Sequence, residues 1–367
     1  MKKILFAAAS ALLIFSCTKE PDLTVYEGSY TVDSKTVITV NSHNVSLSDY
    51  ENAGITITLS DGDRCEVTLT NFINGQPEVK VPATISAPDT KAAAGAVFSG
   101  SVSSGDRTVN VEGVTADGTI ASININEEIT AEGIVGRWTL GSASITFSHP
   151  DLEIIDLNSI IPGLTLPMST VVEMVNAMIA QSIADDPSLA ETYIEFTSDG
   201  YISGAEIQND PELQHLLPYY VNSGEGIFGV CLRKSMLEQL FAQLNGITEL
   251  KEMLEFFGLG FLTENPVSTT IPLSYSINGT GLSLTADQSL ADPYLPMFAE
   301  AAATINSLIA DLEYEDVIEF LYMNGLETLI TPDNLPAVKD LVISLISALT
   351  DGQAKYSVTV GLNPYAA

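Results

Sequence analysis

Hydrophobic and polar residues alternate through most of the chain between residues 24 and 133. The clearest example is a predicted hairpin in which two alternating runs flank the turn at Asp61-Gly62. Its apolar positions are Ile55, Ile57, Leu59, Cys65, Val67 and Leu69, and a second turn at Asp117-Gly118 leads to Ile123 and Ile125. A period of two residues is typical of a strand with one buried face, and Asp-Gly favours a tight hairpin. This pattern predicts an all-β domain over residues 24–133.

From residue 134 onward, short alternating strands are interrupted by longer segments with a helical period. The best helix is predicted over Ser235–Phe257, where apolar residues recur at steps of three and four, and Ser235 with Glu238 forms a capping box. Further helix starts are predicted near Thr170, Asp292 and Asn334. Strands are predicted at Ile194, Phe196, Leu273, Tyr275, Ile277, Tyr356, Val358, Val360 and Leu362. The pattern predicts an antiparallel sheet with helical insertions over residues 134–367.

The first residues of the chain have the layout of an export signal. An apolar run from Ile4 to Phe15 follows Lys2 and Lys3 and leads to Cys17, with a small residue directly before the cysteine. This arrangement is typical of a bacterial signal peptide that ends in a lipidation site. About 12 apolar residues are too few to span a bilayer, so a transmembrane anchor is the weaker interpretation.

This N-terminal segment resembles that of Bacteroidetes-type lipobox lipoproteins. The resemblance implies that residues 1–16 are a signal peptide, that Cys17 carries the acyl chains, and that residues 17–23 are a tether. The charged residues of the tether are similar to a signal for export to the cell surface, although such tethers also arise for solvation alone. The resemblance implies a protein bound to the outer membrane by its acyl chains, exposed on the cell surface or alternatively on the periplasmic face.

The composition excludes some partners. The chain has 14 Lys and Arg residues against 47 Asp and Glu residues, a formal net charge of −33. Nucleic acid is disfavoured as a partner because phosphate contacts need clustered basic side chains, and Arg233-Lys234 is the only cluster beyond the signal peptide. Apart from Cys17, the cysteines are Cys65 and Cys231. They allow one disulfide, although Cys65 also suits an apolar strand face.

The motif Gly136-Arg137-Trp138, followed by a predicted strand, resembles the GxW signature of lipocalin-like, or calycin, barrels. Segments similar to lipocalin-like Bacteroidetes lipoproteins are Tyr193–Gly200, Tyr275–Leu284 and, more broadly, residues 24–133. The resemblance implies that Gly136 and Trp138 are structural and that the tryptophan closes the base of a barrel. The expected fold is mainly β with α: an N-terminal all-β barrel or sandwich, followed by a calycin-like antiparallel barrel carrying large helical insertions.

The sequence also departs from the lipocalin pattern. That family places an arginine late in the chain over the tryptophan, whereas the last arginine here is Arg233 and Lys355 is the only nearby substitute. The predicted helical insertions are also much longer than the loops of a lipocalin. Because of these departures, the sequence does not establish that the base of the barrel is closed as in lipocalins. It also does not establish that the barrel is a simple cup with an open mouth.

No catalytic residue, cofactor site or metal site is predicted. The GxGxxG pattern at Gly224, Gly226 and Gly229 lacks the strand–turn–helix context of a dinucleotide site, so a glycine-rich hairpin is preferred. The three histidines lack the spacing of a helical zinc site, and adjacent acidic residues are better explained as solvated surface. A hydrolase is a weak hypothesis because neither a GxSxG elbow nor any other catalytic motif occurs.

The expected function is therefore non-enzymatic binding. Helices packed over a barrel mouth would form an apolar cavity for a small molecule or lipid. The alternative is an interaction or accessory module of a surface complex for glycan or nutrient capture, with a protein partner. The candidate ligand or partner contacts are Tyr219, Tyr220, Phe256, Phe257 and Tyr275. Because Tyr219 and Tyr220 are adjacent on a strand, one ring lies on each face, so at least one is a candidate for exposure, although an interface or a cover over the sheet edge explains the pair equally well.

Overall fold

A computed structural model describes residues 22–87, 95–158, 160–204, 217–245, 268–290, 292, 295–323 and 330–366. The chain divides into two compact units. The first comprises Met1–Ile73, Pro77–Val102 and Asn110–Ile125, and the second comprises Asn74–Gln76, Ser103–Val109 and Asn126–Ala367. These units differ from the predicted domains, 24–133 and 134–367, by short segments. No helix among the described residues is long and apolar enough to cross a membrane.

The first unit is built on a nine-stranded sheet. Its strands are β1 (Gly28–Thr31), β2 (Val37–Val40), β3 (His43–Asn44), β4 (Gly54–Asp61), β5 (Arg64–Ile73), β6 (Gln76–Ser86), β7 (Val97–Ser104), β8 (Arg107–Ala116) and β9 (Thr119–Ile129). The order is β1-β4-β5-β6-β7-β8-β9-β2-β3, and β1 also pairs with β9 through Thr31 and Thr119. This additional pairing closes the sheet into a ring, from which β2 and β3 extend.

The hairpin predicted around Asp61-Gly62 is confirmed. Strands β4 and β5 pair antiparallel, with Ile57 opposite Val67. Gly62 has a φ of 60°, a left-handed conformation that glycine adopts without steric cost. Both Ile57 and Val67 are fully buried, so the apolar side chains of the alternating pattern form the core of this sheet.

The second unit contains a nearly closed, eight-stranded antiparallel barrel, so the predicted β-rich fold with helices is confirmed. The strands of this unit are β10 (Gly136–Ser148), β11 (Ile154–Asp156), β12 (Thr165–Pro167), β13 (Ile194–Phe196), β14 (Ile202–Gly204), β15 (Tyr219–Asn222), β16 (Ile227–Leu232), β17 (Thr269–Asn278), β18 (Gly281–Asp287) and β19 (Lys355–Pro364). The barrel order is β14-β13-β10-β19-β18-β17-β16-β15, and β11 pairs only with β12. A bridge between Tyr201 and Pro218 joins the two edges of the barrel.

The two ends of this barrel carry different connections. The described α-helices are α1 (Met168–Asp185), α2 (Ser188–Glu191), α3 (Lys234–Asn245), α4 (Leu295–Asp311), α5 (Tyr314–Met323) and α6 (Leu335–Thr350). Trp138 lies opposite Pro364 at one end, where short turns join β13 to β14, β15 to β16 and β17 to β18. Ser148 lies opposite Lys355 at the other end, and all of these helices are inserted in the connections there. We call these the hairpin end and the helical end.

Helix α1 replaces a strand along one edge of β10. Strand β13 pairs with β10 only at residues 136–138, so the edge beyond has no strand partner there. The Asn176 side chain of α1 fills this position: its Nδ2 donates to the carbonyl of Ile145 at 2.9 Å, and its Oδ1 accepts from the Ile145 N–H at 2.8 Å. The amide of Asn176 therefore satisfies both backbone groups of a strand residue, as a neighbouring strand would.

The helix predictions have mixed outcomes. The start near Thr170 is confirmed within two residues, since α1 begins at Met168, and Asn334 is the N-cap of α6. The helix predicted from Asp292 begins at Leu295. The helix predicted over Ser235–Phe257 is described as far as Asn245, and the remainder lies outside the described residues.

The capping prediction for that helix is wrong. Helix α3 begins at Lys234, one residue before the predicted N-cap, so Ser235 lies inside the first turn. The backbone N–H of Lys234 donates instead to the Ser268 hydroxyl at 3.0 Å. A serine that is distant in sequence thus satisfies a donor at the start of the helix, which a local sequence pattern does not reveal.

Candidate ligand-binding site

The inner face of the second barrel is apolar along its whole circumference. Three of its aromatic rings pack together near the hairpin end: Phe196 and Tyr219 at 5.5 Å, and Tyr219 stacked on Phe228 at 5.0 Å between ring centroids. The core also contains Ile129, Ala131, Ile134, Trp138, Val221, Leu282 and Leu362. The inward apolar residues of these strands produce this interior.

Trp138 is buried at the hairpin end of the barrel. Its side chain is 5% exposed, and its indole Nε1 donates to the carbonyl of Ile134 at 2.9 Å. The segment immediately before β10 thus supplies the partner that the buried indole N–H requires. Lys355 lies opposite Ser148 at the helical end, whereas Trp138 lies at the hairpin end, so Lys355 does not lie over the tryptophan.

A cavity of about 480 Å³ lies beside Trp138. Its apolar lining residues are Trp138, Leu140, Leu189, Ile194, Ile202, Val360 and Leu362, and the other lining residues are Thr192, Tyr193, Ser203 and Gly204. The barrel strands β10, β13, β14 and β19 supply most of this lining, and Leu189 of α2 completes it. The volume falls within the range of about 300–1,000 Å³ that is usual for small-molecule sites.

The electrostatics of the cavity are those of an uncharged site. None of the described residues that line it has an ionisable acid or base as its side chain, apart from the phenol of Tyr193. The hydroxyl of Thr192 already donates to the Ser188 carbonyl at 2.8 Å. Arg137 is the neighbouring cation, and its guanidinium lies 4.6 Å from the centroid of the Tyr193 ring. Its Nε donates to Glu195 at 3.1 Å, so its charge is paired outside the cavity.

The predicted contact residues lie elsewhere in the barrel. Tyr219 is 2% exposed, and its hydroxyl donates to the Thr197 carbonyl at 2.8 Å. Burial raises the pKa of this phenol well above its usual range. The possible exposure of one tyrosine of the pair is not found, because Tyr220 on the opposite face is also partly buried. Its ring packs against Gly75 and Gly229, where a Cβ atom would clash with it.

Tyr275 and the two phenylalanines complete the predicted set. The Tyr275 ring is partly buried against the barrel core, and its hydroxyl donates to the Ser223 hydroxyl at 2.8 Å. Phe256 and Phe257 lie outside the described residues. The sequence reasoning missed the lining residues Leu140 and Ile202. The alternating runs marked Ile194, Val360 and Leu362 as inward strand positions without indicating that they face a cavity.

A buried charged cluster lies in the second unit, apart from the cavity. The Arg107 side chain is 2% exposed and donates to Glu127 at 3.0 Å, and its guanidinium lies 5.8 Å from the centroid of the Tyr220 ring. Arg233 is also buried, and its positive charge acts on the Tyr201 phenol. Burial raises the pKa of Glu127, while Arg107 and Arg233 oppose this shift by stabilising the carboxylate. These paired groups have a structural role, because a buried charge is tolerated only with such partners.

The structure also places the other residues that the sequence raised as candidates for chemistry. Cys65 and Cys231 are separate free thiols, so the possible disulfide is absent. Strands β15 and β16 form the hairpin predicted for the GxGxxG segment. The Nε2 of His149 forms a hydrogen bond with the Asp351 carboxylate at 2.9 Å, and its Nδ1 accepts a hydrogen bond from the Asp151 N–H. No group of three metal-ligating side chains occurs in the part of the chain that the structure describes.

Comparison of this chain with known protein families, with curated proteins and with solved structures gives no match.

Proposed function

We propose that this protein is a non-enzymatic binding protein that holds an apolar small molecule or lipid chain in the cavity beside Trp138. The observation that carries the proposal is an uncharged cavity of about 480 Å³ within a barrel whose inner face is apolar. Burial of apolar ligand surface there would be favourable by roughly 25 cal/mol per Å² before the entropic cost of binding. The resemblance of Gly136 and Trp138 to the GxW signature supports a calycin-like barrel of this function.

The sole tryptophan of the chain provides the test, because Trp138 lines the cavity. A bromine atom quenches indole fluorescence on contact, so titration with ω-bromoundecanol should quench Trp138 and reach saturation. The same titration with undecanol lacking bromine should leave the fluorescence unquenched and should compete with the brominated probe. Fluorescence that falls linearly without saturation, and without competition, would refute the proposed site.

Two substitutions on β19 separate cavity binding from contact elsewhere. Val360→Phe fills part of the cavity and should weaken probe binding by about tenfold or more. Val358→Phe is the matched control, because Val358 is 46% exposed and is two residues nearer the helical end, outside the cavity lining. Circular dichroism should show that both variants are folded. Equal affinities for both variants would place the probe somewhere other than the cavity.

The proposal includes attachment to the outer membrane through Cys17, which lies outside the described residues. The apolar run that ends at Cys17 and the charged tether support this part. Metabolic labelling with a radioactive fatty acid should label the wild-type protein, and Cys17→Ser should abolish the label and release the protein from the membrane fraction. A labelled Cys17→Ser variant would contradict the assignment. Protease treatment of intact cells would then distinguish the cell surface from the periplasmic face.

A further inference from the structure

The absence of charged side chains from the cavity lining restricts the chemical class of the ligand more closely than the volume of the cavity does. A buried ionised group needs a partner of opposite charge or several hydrogen bonds, since its transfer from water is otherwise very unfavourable. The described lining offers neither an acidic nor a basic side chain to such a group. The lining also contains polar groups: the Trp138 indole N–H and the Thr192 hydroxyl already donate to carbonyls of the protein, and the hydroxyls of Tyr193 and Ser203 carry no charge.

The neighbouring cation is also engaged. Arg137 pairs with Glu195 on the strand next to its own, and its guanidinium stacks on Tyr193. An anionic ligand would therefore have to compete with a carboxylate for this guanidinium. It would also approach a protein with a formal net charge of −33, which disfavours its encounter at low ionic strength.

From this arrangement we infer that the ligand is electrically neutral: a hydrocarbon, alcohol, ester or similar uncharged lipid rather than a fatty acid or a cationic amphiphile. This inference rests on the proposed function and specifies its ligand class. The acidic surface of the protein does not affect the affinity for such a molecule, because an uncharged ligand has no net Coulomb interaction with it.

Three probes of equal chain length test the inference through quenching of Trp138: ω-bromoundecanol, ω-bromoundecanoic acid and ω-bromoundecylamine. At neutral pH the alcohol should bind at least about tenfold more tightly than either charged probe, because an ionised group lacks a partner in the cavity. The affinity for the acid should rise as the pH is lowered toward the pKa of its own carboxyl group. The affinity for the alcohol should be constant across the same range, which controls for changes in the protein.

The variant Arg137→Gln separates the alternatives. It should leave the affinity for the alcohol unchanged and should not weaken the binding of the acid. If the acid binds the wild type as tightly as the alcohol and Arg137→Gln abolishes this binding, the ligand is an anionic amphiphile held by Arg137, and the inference is wrong. Equal binding of all three probes also overturns the inference while retaining the cavity. If no probe gives saturable quenching, the proposed function itself fails.

Discussion

The two large β-sheets in the described part of the chain close in different ways, and their interiors differ accordingly. In the first unit, long strands such as β5 and β6 surround an interior in which Ile57, Val67 and Val81 have no exposed surface. In the second unit, β10 spans thirteen residues but β13 and β14 span only three each. Ile194 on the inner face of β13 is 42% exposed. The barrel wall is therefore shorter at β13 and β14 than at β10, and the cavity lies beside these short strands.

The largest expected difference in the free energy of unfolding comes from truncating an isoleucine to alanine in each of the two interiors. Ile57→Ala should lower the free energy of unfolding of the first unit by about 3–4 kcal/mol, because the packed core leaves a new void. Ile202→Ala should cost the second unit about 1 kcal/mol, because that side chain already borders a cavity. Urea unfolding followed by Trp138 fluorescence measures the second unit, and hydrogen exchange in β4 and β5 measures the first. Equal losses would mean that the two interiors are packed alike.

The next largest effect on stability is expected where α1 takes the place of a strand beside β10. Asn176→Ala leaves the N–H and the carbonyl of Ile145 without their side-chain partner, so it should destabilise the second unit by about 2 kcal/mol. The Ile145 amide should exchange with solvent faster. Gln181→Ala is the matched control on the same helix, since Gln181 bonds only the exposed Asp185, and it should cost less than about 0.5 kcal/mol. Unchanged exchange at Ile145 would show that α1 does not protect this edge.

The thiol in the second barrel wall makes stability depend on alkaline pH. Burial raises the pKa of Cys231 to about 11, so the native state holds this proton more tightly than the unfolded chain does. The stabilisation is complete below the unfolded pKa of about 8.5 and is lost as the pH rises toward the folded value, by about 3–4 kcal/mol in all. Between pH 8 and pH 11 the wild type should lose more stability than Cys231→Ala. Parallel pH curves for the two proteins would contradict this assignment.

The smallest effect on stability is expected where there is room for a larger side chain. Val360→Phe should change the free energy of unfolding by less than about 0.5 kcal/mol, because the added ring enters the cavity. Val81→Phe should cost about 1–3 kcal/mol, since Val81 is fully buried in the first unit and the added atoms overpack its core. Thermal and urea unfolding of the two variants measure both changes. A strongly destabilised Val360→Phe variant would mean that the cavity is too rigid to accept the ring.

Local pattern predicted the elements that depend on neighbouring residues. The hairpin at Asp61-Gly62 follows from alternation and turn chemistry, and the helix start at Asn334 is followed by a proline in the first turn; both signals act over a few residues. The buried position of Trp138 at the start of a barrel strand was also predicted, through its motif.

The candidate site was much harder to predict. Tyr219 and Tyr220 lie on opposite faces of β15 as expected, but both faces of that strand are covered, so alternation does not identify an exposed ring. Leu140 and Ile202 face a cavity because β13 and β14 are short and because Leu189 of α2 lies beside them. These causes are tertiary, and the hydrophobicity of a single segment does not encode them.

The separation of the hairpin end from the helical end has a consequence for how this protein can diverge. Strand register is held by tight turns on one side, so insertions on the opposite side can grow, shrink or be exchanged at modest entropic cost. Mutation there would reshape the helical end and leave the hairpin end, where Trp138 is buried, unchanged. The same barrel could thus become selective for a different ligand when its inserted segments are exchanged. Related chains should vary most in length in the connections that contain α1 to α6.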